Sequence, residues 1–139
     1  MKFSKSIPLT MACTLTLTAC GARSTDEEQV RALFANVEKA AEDRDTSDVL
    51  AFVGSDYADS QGFDKSQLQN FLRGYFLTHP KVELVVSVDD LEFPADGLAR
   101  ANVTVTAVDL SDPHREHLSV ELRRSDGRWL VARADRAGR

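Results

Sequence analysis

Asp56-Tyr57-Ala58-Asp59 sets two carboxyls around a phenol within four residues. Those are the groups that proton transfer between a base and an oxyanion donor requires. The surrounding stretch, Asp56 to Phe63, is polar and contains Gly62, which predicts a loop with solvated acids. His114-Arg115-Glu116-His117 holds metal-ligating residue types, but on a strand positions three apart point to opposite faces. One ion therefore cannot take both histidines. His79 stands before Pro80 at a predicted helix end, where a histidine meets the last carbonyls. No glycine-rich phosphate loop or nucleophile elbow is present. The expectation is no catalytic residue, no metal site and no cofactor.

The remaining reactive side chains are Cys13 and Cys20, both near the N-terminus. Lys2 and Lys5 precede an apolar run from Ile7 to Ala19, 13 residues with four threonines and Pro8 among them. A span of hydrocarbon needs about 20 mainly apolar residues, so the run predicts a cleaved export signal and not a permanent helix. Leu17-Thr18-Ala19-Cys20 resembles the lipobox of bacterial lipoproteins, whose cysteine becomes the lipidated first residue. Cys13 fits less well, since Thr10-Met11-Ala12 lacks the aliphatic residue that lipoboxes carry three before the cysteine. The alternative is a plain secreted protein cut after Ala19 or Ala22. The lipobox implies residues 1–19 as signal, lipid on Cys20, a short tether to residue 25, and attachment to a bacterial membrane facing the periplasm. Gly21 follows the cysteine, and the lipoproteins this resembles are held at the inner membrane chiefly by an aspartate there. That implies the outer membrane over the inner.

Cleavage before Cys20 leaves 120 residues and a formal charge of −7 against −5 for the whole chain. A chain of this size is one domain and buries about two-thirds of its unfolded surface. Asp26 to Asp64 holds 11 acids against Arg31, Lys39 and Arg44, while Pro113 to Arg139 holds seven arginines against four acids. Net acidity argues against nucleic acid as a partner.

The elements that must position these residues are legible from period and caps. Thr25-Asp26-Glu27-Glu28 has capping-box form, and Val30, Leu33, Phe34, Val37, Ala40 and Ala41 follow at helical spacing to about Arg44. Ser47 is the expected cap of a short second helix stopped by Gly54. Asp64 and Gln67 open a third, with Leu68, Phe71, Leu72, Tyr75 and Phe76 as its buried stripe. From Lys81 the period becomes two. Val82, Leu84, Val86 and Val88 alternate, Pro94-Ala95-Asp96-Gly97 turns the chain, and Ala99 to Ala107 returns. Ser111-Asp112-Pro113 turns again into Leu118, Val120 and Leu122, and Asp126-Gly127 leads to a last strand with Trp129 and Val131. Three helices followed by an antiparallel meander predict an α+β domain over residues 26–135, with residues 136–139 as a tail.

This order, closed by Asp126-Gly127-Arg128-Trp129-Leu130-Val131, resembles the nuclear transport factor 2-like superfamily over roughly residues 25–134. The resemblance implies three N-terminal helices packed on a curved four-stranded antiparallel sheet, a cone around the first helix. Such a cone would be lined by Phe34, Phe52, Tyr57, Phe71, Val86, Val103, Val105, Val120 and Trp129. Those residues either fill the interior or enclose an apolar small molecule. The inward faces carry acids only near strand ends, at Asp90 and Glu116. The ketosteroid isomerases of this superfamily place a tyrosine on the first helix, where this chain has Leu33, Phe34 and Val37. The resemblance itself is silent on activity. The missing tyrosine and the confinement of the candidate acids to a polar loop lead to the expectation of a binding or accessory domain and not an enzyme, with an apolar small molecule or an envelope protein as its partner. The alternative is an isomerase or dehydratase using Asp56, Tyr57 or Asp59 on an apolar small molecule.

Overall fold

A computed structural model describes residues 25–108 and 113–138. Both cysteines, the apolar run, most of the tether and the first residues of the Ser111-Asp112-Pro113 turn lie outside the described residues. Helix α1 spans Asp26–Glu42. Its capping box closes as the residue types demand: Glu28 N–H donates to Thr25 Oγ1 and Thr25 N–H to Glu28 Oε2, both at 3.2 Å. Helix α2 spans Thr46–Ala51 and its cap is Asp45, not Ser47. Arg44 takes a left-handed φ of 54° and Asp45 N–H returns to Ala40 O, so the short helix starts two residues earlier than the serine suggests. Helix α3 spans Lys65–Thr78, capped by Asp64 with Gln67 reciprocating, and ends at His79 before Pro80.

Four strands, β1 (Leu84–Ala95), β2 (Leu98–Ala107), β3 (His114–Ser125) and β4 (Arg128–Arg136), form an antiparallel sheet in chain order. Asp126 and Gly127 both have positive φ, 50° and 74°, the requirement of a two-residue turn whose twist matches its strands. Pro94 does not turn the chain. It sits inside β1, tolerated because β1 is an edge strand with one side free of ladder bonds. The sheet register slips between Val88 and Asp90, leaving Asp89 as an extra residue opposite β2. That bulge also corrects the expected inward place of Asp90: beyond it Leu91 faces the core and Asp90 is exposed.

Both sheet edges are blunted. Along β1, Val86 N–H donates to the Glu38 carboxylate of α1 at 2.7 Å. Along β4, Val131 exchanges backbone bonds with Phe52 and Gly54, and Ala58 N–H reaches Ala132 O. The helices cover one sheet face, and the core between them is solid: Val30, Ala99 and Leu122 are each 0% exposed. The third helix departs from its expected stripe. Phe76 is buried and Leu68, Leu72 and Tyr75 are half-buried, but Phe71 is 53% exposed. Phe71 sits at the margin of the buried arc, where its ring rests on Phe63 and Tyr75 and faces water on the other side.

Candidate functional site

The inward strand residues meet α1 as the alternation requires. Phe34, Val103, Val120 and Trp129 are buried in one cluster, with Phe52, Val86 and Val105 half-buried against it. Trp129 Nε1 donates to Asp26 Oδ1 at 3.3 Å, and Arg124 binds the same oxygen at 2.9 Å while its guanidinium lies over the indole. This ties the start of α1 to the β3–β4 turn. Two of the nine expected lining residues lie elsewhere. Phe71 is on the surface, and Tyr57 belongs to a separate cluster with Leu50 and Val53 beneath the loop after α2.

Asp56, Tyr57 and Asp59 do not converge on a shared space. The Tyr57 hydroxyl donates to Asp59 Oδ2 at 2.9 Å, while Asp59 Oδ1 accepts the N–H groups of Gln61 and Phe63 at 2.9 and 3.0 Å. The carboxylate therefore holds its own loop. Burial first, then the bond to Asp59 and the negative charge there, push the Tyr57 phenol well above its ordinary range. A phenol so placed stays neutral and acts as a donor. Asp56 is exposed, with Arg123 at 3.8 Å.

The histidines separate as strand geometry demands. His114 pairs across to Ala107 and its Nε2 lies 3.1 Å from Glu116, which also receives Arg136. His117 is on the opposite face, where Nδ1 lies 2.9 Å from Thr104 Oγ1, itself bonded to Asp89. Sequence alternation could not place this Asp89–Thr104–His117 chain, because the β-bulge is what aims Asp89. Among the described residues no three histidine, cysteine or acidic side chains are grouped to hold a metal ion.

A concave hollow lies where the end of α3 meets the end of β2 and the start of β3, and none of the nine expected lining residues is in its wall. It has a volume of about 440 Å³ and is walled by Tyr75, Thr78 and His79 of α3 and by Val82, Ala107 and His114. His79 stacks on Tyr75 with centroids 4.0 Å apart, and its Nδ1 meets the Tyr75 carbonyl at 2.8 Å. Since a carbonyl only accepts, Nδ1 is the donor of this bond. Lys81 at the rim is engaged by Glu83 at 2.7 Å, which raises its pKa through the hydrogen bond and the charge. The arrangement offers a stacking surface and paired charges. Thr78 Oγ1 lies 3.0 Å from His79 Nδ1, but the hydroxyl has the Gly74 and Tyr75 carbonyls as acceptors, both at 3.1 Å, and Nδ1 donates to the Tyr75 carbonyl.

No protein-family model matches the sequence, and no curated protein matches it either. Solved structures do. A nuclear transport factor 2-like protein of unknown function from Shewanella oneidensis superposes with a TM-score of 0.68 at 13% identity, covering 82% of this chain and 100% of that one. Another from Pseudomonas putida gives 0.67 at 21%, covering 81% and 86%. A cystatin-like domain of unknown function from Nostoc punctiforme gives 0.69 at 16%, covering 85% and 80%. At these identities the likeness shows the fold. The chain has the nuclear transport factor 2-like α+β architecture, a scaffold that hosts enzymes and binding modules alike.

Proposed function

We propose that this chain is a bacterial lipoprotein, anchored through Cys20 and facing the periplasm, outer membrane in preference to inner. Its domain binds a partner and does not transform a substrate. The observation that supports binding over turnover is the packed interior, where Val30, Ala99 and Leu122 are wholly buried and Val103 is 2% exposed. An isomerase or dehydratase of this fold needs a base and an oxyanion donor facing each other across a cavity. Asp59 and Tyr57 are instead bonded to each other at a loop. A filled cone favours docking on an envelope protein over enclosure of an apolar small molecule. The outer face of the sheet is occupied by its own ion pairs, Arg123 with Glu121 and Arg133 with Asp135.

The test is a titration of the full chain with a lipophilic fluorescent probe, beside an isomerase and dehydratase screen. The expected outcome is no saturable probe binding sensitive to Val105→Trp, and no turnover sensitive to Asp56→Asn or Asp59→Asn. Turnover lost in either variant overturns the reading in favour of the enzyme.

A further inference from the structure

Helix α3 carries an exposed face for which the fold itself has no use. Its 14 residues contain no acid. Leu77 is 85% exposed and Phe71 53%. Gly74 lies between them at three-residue spacing, on the side of the helix away from Phe76 and Leu72. Apart from its own helix backbone and chain neighbours, nothing lies within 4 Å of where a Cβ on Gly74 would stand. Glycine is the poorest helix former after proline, so folding gains nothing from it at an open, mid-helix position. A backbone approaching from outside does gain. Beside Leu77 the surface dips into a hollow of about 440 Å³ lined by Arg44, Thr46, Arg73 and Phe76. Arg44 is held there by bonds from its guanidinium to the carbonyls of Phe76 and His79, at 3.2 and 3.4 Å. No acid lines this hollow, in a chain whose net charge is −5.

We propose that this face of α3 docks an acidic amphipathic helix of a partner protein. Its apolar ridge seats over Gly74 between Phe71 and Leu77, and its carboxylates meet Arg73 and Arg44. Charge selects this occupant over a second copy, because a two-fold contact through this face sets Arg73 and Arg44 against themselves. Position selects it over lipid. The anchored end is the start of α1, and α1 runs about 25 Å before Arg44 meets the end of α3.

The inference deepens the reading of a binding domain, and its test is independent of the interior probe because Leu77 and Gly74 do not belong to the buried clusters. The protein, purified from its membrane in zwitterionic detergent with empty micelles as blank, is titrated with two fluorescein-labelled helical peptides. They share a leucine stripe and differ in having glutamate or lysine flanks. The glutamate peptide is expected to bind saturably and about tenfold tighter than the lysine peptide. Leu77→Ser and Gly74→Leu should each weaken it about tenfold, and Arg73→Glu should reverse the preference. Gly74→Ala should raise the melting temperature while weakening binding, a pair of signs that a purely structural glycine does not give. Equal affinity for both peptides, no saturable binding, or no effect of Leu77→Ser overturns the proposal. So does a dimer in sedimentation that Gly74→Leu abolishes.

Discussion

Tyr57 shows what a residue type conceals until its neighbours are known. Flanked by two acids it reads as a catalytic loop, yet its ring is 5% exposed and its hydroxyl serves Asp59. Tyr57→Phe should cost about 1 kcal/mol, a hydrogen bond lost with the ring kept. Asp59→Ala should cost about 1–3 kcal/mol, because it strands the phenol and two loop N–H groups. Denaturant melts of the two variants would rank them, and equal costs would mean the loop is not held as described. The pH dependence follows in sign. The folded phenol pKa lies above its ordinary value of 10.0, so the fold favours the neutral form. That contribution is complete below pH 10 and is lost as pH rises beyond it. Phenolate absorbance should show a late step that coincides with unfolding and disappears in Tyr57→Phe. Trp129 was legible from sequence as a core residue, and Trp129→Ala should cost about 3–5 kcal/mol in the same melts.

Caps and turns were readable from local chemistry alone where the motif was complete. Thr25 with Glu28 and Asp64 with Gln67 supply both halves of a capping box, and Asp126-Gly127 supplies both positive φ angles. Where one half was missing, the reading slipped by a residue or two. Ser47 looks like a cap, but Arg44 had already turned the chain and Asp45 accepts the Asp48 N–H at 2.9 Å. Asp45→Ala should therefore cost about 1 kcal/mol and Ser47→Ala less than about 0.5. A reversed order in thermal melts would restore the serine. Pro94 and Asp90 misled for another reason: a bulge has no signature in a period of two, since it changes which residue is counted. Phe71 misled because helical spacing gives an arc and not its edges. The aromatic ring is apolar enough to join the stripe, but α3 packs through Phe76, and Phe71 falls outside.

At the scale of the molecule, the sheet, its order and the inward alternation of β2 and β3 were all accessible, because a period of two fixes a face and short turns fix neighbours. What fills the concavity was not, since the same valines line a pocket or make a core depending on how closely α1 approaches. The loop from Gly54 to Ser60 is bound to β4 by backbone bonds and by Ser60 N–H on Asp135 at 2.7 Å. That bond and the Arg133 ion pair hold the Asp135 carboxyl below its ordinary value. The linked stability is present above about pH 4 and is lost as pH falls through the lowered value.

In the proposed reading the Leu17-Thr18-Ala19-Cys20 stretch sets where this domain works, and that anchor can be tested directly. The thioether of a lipoprotein needs the sulfur of Cys20, and buried acyl chains supply about 0.8 kcal/mol of membrane affinity per methylene. From Gly21 to Thr25 the chain spans at most about 17 Å, so the end of the domain built from Asp26, Arg124 and Trp129 is expected to stay close to the bilayer. Fractionation of cells producing either form should find the parent protein processed and in the membrane pellet, and Cys20→Ser absent from it. Metabolic labelling with a fatty acid should mark the parent band and leave the Cys20→Ser band blank. A variant that is still processed, labelled and sedimented would move the anchor away from Cys20. A parent protein that is soluble and unlabelled would favour plain secretion after Ala19 or Ala22, and the α3 face would then meet its partner free of the membrane.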